Sequence, residues 1–526
     1  MTAVIMTILS AIFFVPAYYM ALRHNLHMFQ QNGYKNTEQL RWLKKNLKRQ
    51  WLLLISIVFG VLRIFVDHIA FGIFLFFHFY LIYLVFRAMK RLNTKKKLVF
   101  TARVKRLMAT EFILSAAALA LTAILAGWEY LTAAMLFVLS VQFCLNIIAN
   151  IINRPMELAV NRYYINDAKR KLKSVQGLKI IGVTGSYGKT SVKFFLGALL
   201  KTRFNTLITP ESYNTPMGVV KTVRASLKPV TEVFVCEMGA RHVHDIKELC
   251  DIVHPQMGVI TAIGPQHLET FKSQENIVKT KFELADALPS GGKLFLNGDN
   301  DFIREKGKEY SDTVYYSTCG DAGTGYRAGN IKLSWQGCEF DVTTPSGESE
   351  HFSMRLVGSV NVINVTAAIA VSHELGIPLS ELKLPVRRLQ PVAHRMELKP
   401  KGDYSIIDDA YNSNPEGSKA AVETLKLFEG ERILITPGMV ELGAREAELN
   451  EKFGGYAAAC CDHILLVGKK RSLPIREGIL KAGFDEKKCL SFDRFEEAFT
   501  YAMGIKTDRH KYILLENDLP DNYQEV

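Results

Sequence analysis

Gly182-Val183-Thr184-Gly185-Ser186-Tyr187-Gly188-Lys189-Thr190 is the stretch around which the rest of the chain is organised. An apolar, β-branched run at 178–183 leads into it, and a helical pattern at 191–200 follows it. A strand, a glycine-rich turn and a helix form the context of a phosphate-binding loop, because backbone N–H groups and the helix N-terminus then face phosphate oxygens. Val183 stands where the usual pattern has its first glycine, so the loop is a variant.

In this interpretation the residues of the loop divide the work of holding ATP. Lys189 reaches the β- and γ-phosphates, and the Thr190 hydroxyl binds Mg²⁺. Gly185, Ser186 and Gly188 supply the backbone that approaches the nucleotide. A glycine-rich turn without a ligand is the alternative, but Gly-Lys-Thr placed between a strand and a helix favours nucleotide binding.

Charge is unevenly distributed along the 526 residues, which are enough for about three domains. Residues 1–175 carry 23 Lys and Arg against 6 Asp and Glu, whereas the remainder carries 42 against 46. Because the basic excess belongs to the N-terminal part alone, we expect no nucleic-acid partner. The eight cysteines include no C-x-x-C pair, which argues against a zinc site and fits a reducing compartment for the main body.

The N-terminal part, residues 1–153, predicts an α-helical membrane domain with five spans. The apolar runs are Ala3–Leu22, Trp51–Val66, Ile69–Phe86, Phe112–Trp128 and Leu131–Ile152. The loops 23–50 and 87–110 carry seven and nine basic residues, whereas the short turns at Asp67 and Glu129 carry none. The positive-inside rule therefore predicts a multi-pass cell-membrane protein with its N-terminus outside and everything after the fifth span in the cytoplasm.

Three further expectations concern this part. We expect the first run to be a retained helix rather than a signal peptide, because no basic segment precedes it. Membrane lipids are the expected partners of the basic loops. Arg63, inside the second run, either snorkels to the interface or faces another helix, and its depth favours the inward orientation.

After a helical connector at 154–176, strands alternate with helices in two α/β domains. The central domain, 177–384, predicts a parallel sheet with an antiparallel β appendage at 313–356. A polar stretch at 377–391 with three prolines predicts a joint, and 385–526 predicts a doubly wound, Rossmann-like domain. The predicted strands are 178–183, 205–209, 232–236, 257–263 and 293–297 in the first, and 404–408, 432–436, 463–467, 489–492 and 511–515 in the second.

Polar side chains follow several of these strands, at the edge where open α/β sheets bind ligands. Glu237 follows the third strand and is a candidate Mg²⁺ ligand. His267 follows the fourth and is a candidate for a second metal ion, and Asn297 ends the fifth, where its amide could contact adenine or ribose. Each of them, taken alone, also fits an ordinary strand end or turn.

Together with the loop, these motifs resemble those of the Mur ligases, ATP-dependent amide ligases of cell-wall synthesis. The resemblance covers Ile180 to about Leu515. The motifs are Thr184-Gly185-Ser186-Tyr187-Gly188-Lys189-Thr190, Asn214-Thr215-Pro216-Met217-Gly218, Glu237-Met238-Gly239-Ala240, Gly264-Pro265-Gln266-His267-Leu268-Glu269, Lys281-Phe282-Glu283, Asn297-Gly298-Asp299, His394-Arg395, Asp408-Asp409-Ala410-Tyr411-Asn412-Ser413-Asn414-Pro415 and Pro437-Gly438-Met439-Val440-Glu441-Leu442-Gly443.

The resemblance implies a role for each of these positions. It implies two Mg²⁺ ions held by Thr190, Glu237, His267 and a carbamylated Lys281. It implies that Arg395 reaches the γ-phosphate, that Asp409 binds the ribose, and that Asn297 and Asn361 complete the nucleotide site. The implied catalytic residues are Lys189, Glu237, His267, Lys281 and Arg395, and the implied substrate residues are Asn214, Thr215, Tyr411, Asn414 and Glu441.

The sequence also departs from the family pattern. The small N-terminal domain that holds a UDP-sugar is missing, Val360 replaces a histidine, and Leu515-Glu516-Asn517-Asp518 stands where the family often has Lys-Gly-Ser. The main hypothesis is therefore a membrane-anchored ligase that activates a carboxylate as an acyl phosphate and joins it to an amino-acid or dipeptide amine, on a soluble or lipid-linked envelope precursor. The alternatives are an amino-acid polymerising ligase similar to poly-γ-glutamate synthetases and, from another class, an ATP-driven transporter.

Overall fold

The computed structural model describes residues 2–65, 68–91, 97–319, 325–411 and 413–518. Asp67 of the predicted first turn and Asn412 of the last-domain motif therefore lie outside the described residues. The chain divides into two compact units, one ending at Arg162 and the other beginning at Tyr163. Each unit is described by itself.

The first unit is helical. Its helices are α1 Thr2–Gln31, α2 Asn36–Lys45, α3 Trp51–Phe65, α4 His68–Arg91, α5 Ala102–Leu125, α6 Leu131–Ser140 and α7 Gln142–Ser174. Buried apolar side chains from several helices form its core, among them Phe29, Phe79 and Leu136. Within the described residues, length and composition allow one helix, α5, to cross a membrane, and a second crossing if the bent pair α6–α7 counts as one. Shorter apolar helices cover Leu53–Ile64 and Phe77–Ala88.

The predicted fifth span is not one continuous helix. The chain bends by 72° between the helical segments 128–140 and 142–174. The Ser140 hydroxyl donates to the Phe137 carbonyl at 2.7 Å and so competes with the helical ladder at this point. The run predicts one straight span because most of its residues are apolar, although Gln142, Asn146 and Asn150 make the part after the bend more polar than the part before it.

Arg63 occupies the last turn of α3, and its guanidinium donates to the Glu129 carbonyl at 3.4 Å. Glu129 belongs to the short helical turn before α6, so this contact joins two segments of the helical unit. It does not distinguish the two orientations expected from the sequence, and both stay predictions.

The second unit begins with a nine-stranded sheet of order β2-β3-β1-β4-β5-β6-β7-β8-β9. Its strands are β1 Lys179–Thr184, β2 Thr206–Ile208, β3 Val233–Glu237, β4 Met257–Ile260, β5 Lys293–Asn297, β6 Thr313–Ser317, β7 Tyr326–Ser334, β8 Gly337–Thr343 and β9 Ser349–Met354. Its helices are α8 Lys189–Leu200, α9 Pro216–Ser226, α10 Asp245–Val253, α11 Leu268–Phe271, α12 Gln274–Asp286, α13 Asp301–Gly307, α14 Ser359–Glu374 and α15 Leu379–Arg387. Because β1 lies between β3 and β4, the loop that follows β1 opens at the point where the strand order reverses.

Three details of this sheet differ from the sequence expectation. The β appendage is continuous with the parallel sheet, since β6 pairs with β5 and β7 with β6, both in parallel, and only β8 and β9 are antiparallel. Strand β4 ends at Ile260, three residues before the predicted end, because the following residues turn onto the phosphate loop. The polar stretch predicted as a joint contains α15, whose Leu379, Leu382 and Val386 are buried in the central core.

The second sheet has six strands in the order β10-β11-β15-β12-β13-β14. They are β10 Glu397–Lys401, β11 Tyr404–Asp409, β12 Glu431–Thr436, β13 His463–Val467, β14 Cys489–Phe492 and β15 Lys511–Glu516, with helices α16 Pro415–Leu425, α17 Glu446–Cys460, α18 Leu473–Lys481 and α19 Phe495–Gly504. The predicted strands are parallel. An additional strand, β10, pairs antiparallel to β11 at the edge of the sheet, and its charged, proline-containing sequence does not predict a strand. Asp409 pairs in register with Glu516, so both acids end neighbouring strands at one edge.

Candidate functional site

The loop after β1 has a backbone that only glycine accommodates at two positions. Gly185 has φ 149° and Gly188 has φ 81°. A Cβ on Gly185 would lie 2.1 Å from Thr261 Oγ1, and one on Gly188 would lie 2.8 Å from Asn364 Oδ1. The Ser186 N–H donates to the Ala262 carbonyl at 2.6 Å, which ties the loop to the chain after β4. Close packing from behind therefore fixes the position of this loop.

Lys189 begins α8 and folds back over the loop. Its Nζ donates to the carbonyls of Gly185 at 2.7 Å and Ser186 at 2.9 Å. The pKa of Lys189 is lowered to about 8, and burial is the main cause. The charge of Glu237 opposes this shift, and the charge of Arg395 adds to it. Arg395 comes from the start of the second sheet, so that sheet places a cation within electrostatic reach of Lys189.

Glu237, at the carboxyl end of β3, is the most heavily engaged of the predicted metal ligands. Its Oε1 accepts from Thr190 Oγ1 at 3.1 Å and from Asn214 Nδ2 at 3.0 Å. Its Oε2 forms an ion pair at 3.0 Å with Lys193 Nζ, without a well-directed hydrogen bond. A hydroxyl and a carboxylate side by side are oxygen donors of the kind that Mg²⁺ prefers, so Thr190 and Glu237 fit that ion.

Lys193 was not among the predicted site residues. Its side chain is fully buried, and besides Glu237 it contacts the Glu211 carbonyl. The signal that could have identified it is spacing, because it follows Lys189 by four residues and Thr190 by three and so shares their face of α8.

Lys281 lies within electrostatic reach of Lys189, and His267 lies within electrostatic reach of Lys281. Lys281 is buried in α12, and burial, helped by the charge of Lys189, holds its pKa well below the usual range. Burial also lowers the pKa of His267, and the charge of Lys281 contributes to that shift. Among the described residues, no three His, Cys, Asp or Glu side chains come together as a metal site. Thr190 and Glu237 are adjacent, whereas His267 makes a separate contact.

His267 forms that contact with the second sheet. Its Nδ1 hydrogen-bonds to Glu441 Oε2, and Glu441 Oε1 lies 3.5 Å from the Arg241 guanidinium. His267 and Glu441 have φ values of 53° and 65°, a left-handed backbone that costs roughly 1–3 kcal/mol at each non-glycine residue. The surrounding structure holds both residues in place, so this contact is a defined junction between the elements of the two sheets.

Arg395 and Tyr411 lie at a second junction. The Arg395 guanidinium is 4.6 Å from the centre of the Tyr411 ring, and the Tyr411 hydroxyl donates to Ser212 Oγ of the central part. Asp409 accepts from the Met396 N–H at 3.1 Å. The structure thus brings Arg395, Tyr411 and Asp409 together, and their roles toward nucleotide and substrate stay predictions.

Four other predicted residues use their side chains to hydrogen-bond to the backbone of the protein. Asn297 Nδ2 donates to the Thr261 carbonyl at 2.7 Å, and Asn361 Nδ2 donates to the Val357 carbonyl at 2.8 Å. Thr215 and Asn414 accept from backbone N–H groups at the starts of α9 and α16. Their roles toward nucleotide and substrate stay predictions.

Glu516 was noted only as a departure from the family pattern. Its carboxylate is buried and accepts from the hydroxyls of Ser418 at 2.8 Å, Thr436 at 2.6 Å and Ser413. Burial raises the pKa of Glu516. The negative charge of Glu516 in turn raises the pKa of neighbouring Asp409.

Asp409 should make stability depend on pH. Burial is the main cause that raises its pKa from 3.8 to about 7, so the folded protein holds the proton more tightly than the unfolded chain. The stabilisation from this proton is full below pH 3.8 and is lost as the pH rises through 7. Asp409→Asn should therefore gain thermal stability relative to wild type between pH 5 and pH 8, by roughly 1 kcal/mol because the residue is only partly buried. Melting curves of both proteins at the two pH values test this, and a constant difference contradicts it.

Two family descriptions match consecutive parts of the chain. The Mur ligase middle domain matches residues 183–372, and the Mur ligase, glutamate ligase domain matches residues 394–515. The helical unit up to Arg162 lies outside both matches. The nucleotide-site motifs and both sheets lie inside them.

Individual relatives agree with these matches. The chain is 30% identical over 332 residues to the UDP-N-acetylmuramoyl-tripeptide–D-alanyl-D-alanine ligase of Escherichia coli (strain K12), which covers 61% of this chain and 73% of the relative. It is 31% identical over 309 residues to the protein of the same name from Bacillus subtilis (strain 168), covering 58% of this chain and 66% of the relative. The motifs of the sequence are similar to those of this member of the family.

A solved structure agrees as well. MurF from Acinetobacter baumannii is similar over 69% of this chain and 78% of its own, with a TM-score of 0.62 and 27% sequence identity. The chain thus spans about two thirds of the length of the curated relatives it matches, and the matching part carries the phosphate loop, the Thr190–Glu237 pair and the second sheet. The chain belongs to the Mur ligase family of ATP-dependent ligases.

Proposed function

We propose that this chain forms an amide bond on a peptidoglycan precursor, joining a carboxylate to the amine of D-alanyl-D-alanine or of a related amino acid or dipeptide. The observation that carries the proposal is the set Lys189, Thr190, Glu237 and Lys281 on the central sheet with Arg395 within electrostatic reach from the second. The names of the relatives supply the substrate class.

The proposed reaction has two steps. An oxygen of the substrate carboxylate attacks the γ-phosphorus of ATP, the bond to ADP breaks, and an acyl phosphate forms. The amine nitrogen then attacks the acyl carbon, phosphate leaves, and the nitrogen loses a proton. Water would hydrolyse the acyl phosphate. Contacts between the elements of the two sheets, such as His267 to Glu441, would help to exclude water from the site.

The residues of the chain carry much of the electrostatic work. Lys189 and Arg395 supply two positive charges beside the transferring phosphoryl group, where fixed charges lower the barrier most. Thr190 and Glu237 would hold Mg²⁺, which when bound neutralises phosphate charge. Lys193 balances the Glu237 carboxylate and holds it against Thr190 and Asn214.

Lys281 is proposed to carry a carbamate. A neutral lysine amine attacks CO₂ and loses a proton, and burial, which lowers the pKa of Lys281, favours the neutral form of this amine. ADP release should therefore fall several-fold in CO₂-depleted buffer and recover with bicarbonate. Lys281→Met should be slower by about a hundredfold and should not respond to bicarbonate, because it removes one charged ligand group.

The control for this prediction is Lys279→Met, which removes a lysine two residues earlier on α12. It should keep both the wild-type rate and the bicarbonate response. Wild-type activity that is indifferent to CO₂ would remove the carbamate from the proposal without affecting ATP hydrolysis as such.

We also propose that the helical unit anchors the ligase in the membrane, with the N-terminus outside and the ligase part in the cytoplasm. The length and hydropathy of α5 and the basic loops support this placement. An anchored ligase suits a lipid-linked acceptor, because both partners then share one surface. A cysteine introduced at Glu129 should react with an impermeant reagent in intact cells, whereas Cys319 of the ligase part should react only after lysis.

One assay separates the substrate alternatives. The purified full-length protein is supplied with ATP, D-alanyl-D-alanine and either UDP-N-acetylmuramoyl-tripeptide or its lipid-linked counterpart. ADP release and product mass are measured together. A single mass addition on either acceptor supports the proposal and names the acceptor, a ladder of additions indicates polymerisation instead, and no ADP release with either acceptor overturns the proposed substrate class.

A further inference from the structure

Three helices of the first unit bury polar side chains in contact with one another. Asn25 of α1, Glu111 of α5 and Gln142 of α7 each have 0% of their surface exposed. The Asn25 amide donates to Gln142 Oε1, and Gln142 Nε2 donates to Glu111 Oε2 at 3.3 Å. A carboxylate and two amides are thus enclosed by an otherwise apolar core.

Several polar atoms of this cluster lack hydrogen-bond partners within the described part of the chain. They are Glu111 Oε1, Asn25 Oδ1 and both polar atoms of Asn146. Asn146 is fully buried and lies one turn after Gln142 and one turn before Asn150, whose amide contacts Asn36 at 2.9 Å. Since the residues before and after it on this helix face both point into the bundle, Asn146 shares the same polar seam.

Hydroxyl groups extend the seam without adding charge. The Tyr18 hydroxyl lies 2.7 Å from Ser115 Oγ and 3.4 Å from the Glu111 carbonyl. The polar atoms near Glu111 thus include the oxygens of Tyr18 and Ser115 as well as the Gln142 amide.

Of the three basic residues of α5, Lys105 is exposed, and the two arginines contact other residues than Glu111. Arg106 forms an ion pair with Glu157 at 2.7 Å, and Arg103 donates to Asn150 at 3.1 Å. They precede Glu111 by five and eight residues, a rise of about 8 and 12 Å along the helix. A buried carboxylate is strongly disfavoured in an apolar interior unless it is protonated or paired with a cation, and a bound cation is one of these two solutions for Glu111.

We propose that Asn25, Glu111, Gln142 and Asn146 bind a small monovalent metal cation, sodium or potassium. Carboxylate, amide and hydroxyl oxygens are suitable ligands for such an ion. One carboxylate balances one unit of charge, whereas a divalent ion would leave a net positive charge in the apolar core. Binding would also satisfy the oxygens that have no donor.

The test uses the full-length protein purified in detergent, at constant ionic strength set with choline chloride. Three of the four tryptophans, Trp42, Trp51 and Trp128, belong to this unit, so tryptophan fluorescence reports its unfolding. The melting temperature should rise by about 3 °C for each tenfold increase of NaCl or KCl above half-saturation. Equilibrium dialysis with radioactive sodium or rubidium should find about one bound ion per chain.

Variants decide whether the ion binds at this cluster. Glu111→Gln should abolish the salt-dependent shift, and Asn146→Ala should weaken binding about tenfold or more. Glu38→Gln, which removes an acid of the same unit from a partly exposed pair with Arg41, should respond as wild type does. Equal melting temperatures in NaCl, KCl and choline chloride would overturn the proposal, since a protonated carboxyl or trapped water then suffices. If Glu111→Gln does not fold, an unchanged response of Asn146→Ala overturns it.

Discussion

Lys189→Met should release ADP about a thousandfold more slowly than wild type. The substitution keeps the length and the apolar stem of the side chain and removes only the ammonium group. That group lies against the carbonyls of Gly185 and Ser186, at the point where a phosphate-binding loop neutralises its ligand. A single preorganised charge of this kind contributes about 10²–10³ in rate, and a loss of nucleotide affinity adds to it.

Two measurements distinguish this effect from a damaged fold. Burial disfavours the charged form of Lys189, so the methionine variant should melt no lower than wild type. Lys201→Met removes an exposed lysine at the other end of α8 and should keep the wild-type rate. If Lys189→Met retains activity within tenfold of wild type while its fold is intact, the loop does not carry the reaction that its sequence suggests.

The order of elements in the second unit could be predicted because local signals and global fold agree there. Gly182 to Thr190 combines a β-branched run, two glycines that need positive φ and a helix start, and each of these is a property of adjacent residues. Glu237 and Asp409 could be predicted as site residues because strand ends of a parallel sheet meet at one edge. Here, position along the chain is enough to infer position in space.

Other features depend on neighbours that are distant in sequence. Lys193 looks like one basic residue of an amphipathic helix until β3 brings Glu237 against it. In the sequence, Glu111 directly precedes an apolar run, which suggests a polar residue at the end of a helix. In the structure α5 begins nine residues before Glu111, and Gln142 of another helix contacts the Glu111 carboxylate. The bend between α6 and α7 coincides with a side-chain hydrogen bond of Ser140 inside a mostly apolar run. Periodicity and hydropathy cannot register contacts of these kinds.

Arg395 owes its position to an unusual backbone. The residues on both sides of it, His394 and Met396, have φ values of 59° and 48°, which are unfavourable for side chains of this kind. Contacts at the start of the second sheet offset this cost, since His394 Nδ1 lies 2.8 Å from Asp408 Oδ2 and the Met396 N–H donates to Asp409. Strain that is held in place by specific contacts accumulates where a side chain must point in one direction.

Arg395→Met should therefore lower kcat by about a hundredfold or more while changing the affinity for ATP much less. The charge acts most strongly on the phosphoryl group in transfer, whose negative charge is spread over its outer oxygens, and one such arginine contributes about 10²–10⁵ in related phosphoryl transfers. Arg388→Met, at the exposed end of α15, is the matched control and should leave kcat unchanged.

A second variant separates charge from geometry at this position. Arg395→Lys keeps the positive charge but loses the planar group that lies 4.6 Å from the centre of the Tyr411 ring, so we expect it to recover only part of the rate. An Arg395→Met enzyme with wild-type kcat and weakened ATP binding would show instead that the arginine contributes to ground-state affinity. The split between kcat and nucleotide affinity thus decides whether the second sheet supplies a charge to the reaction itself or only helps to hold ATP.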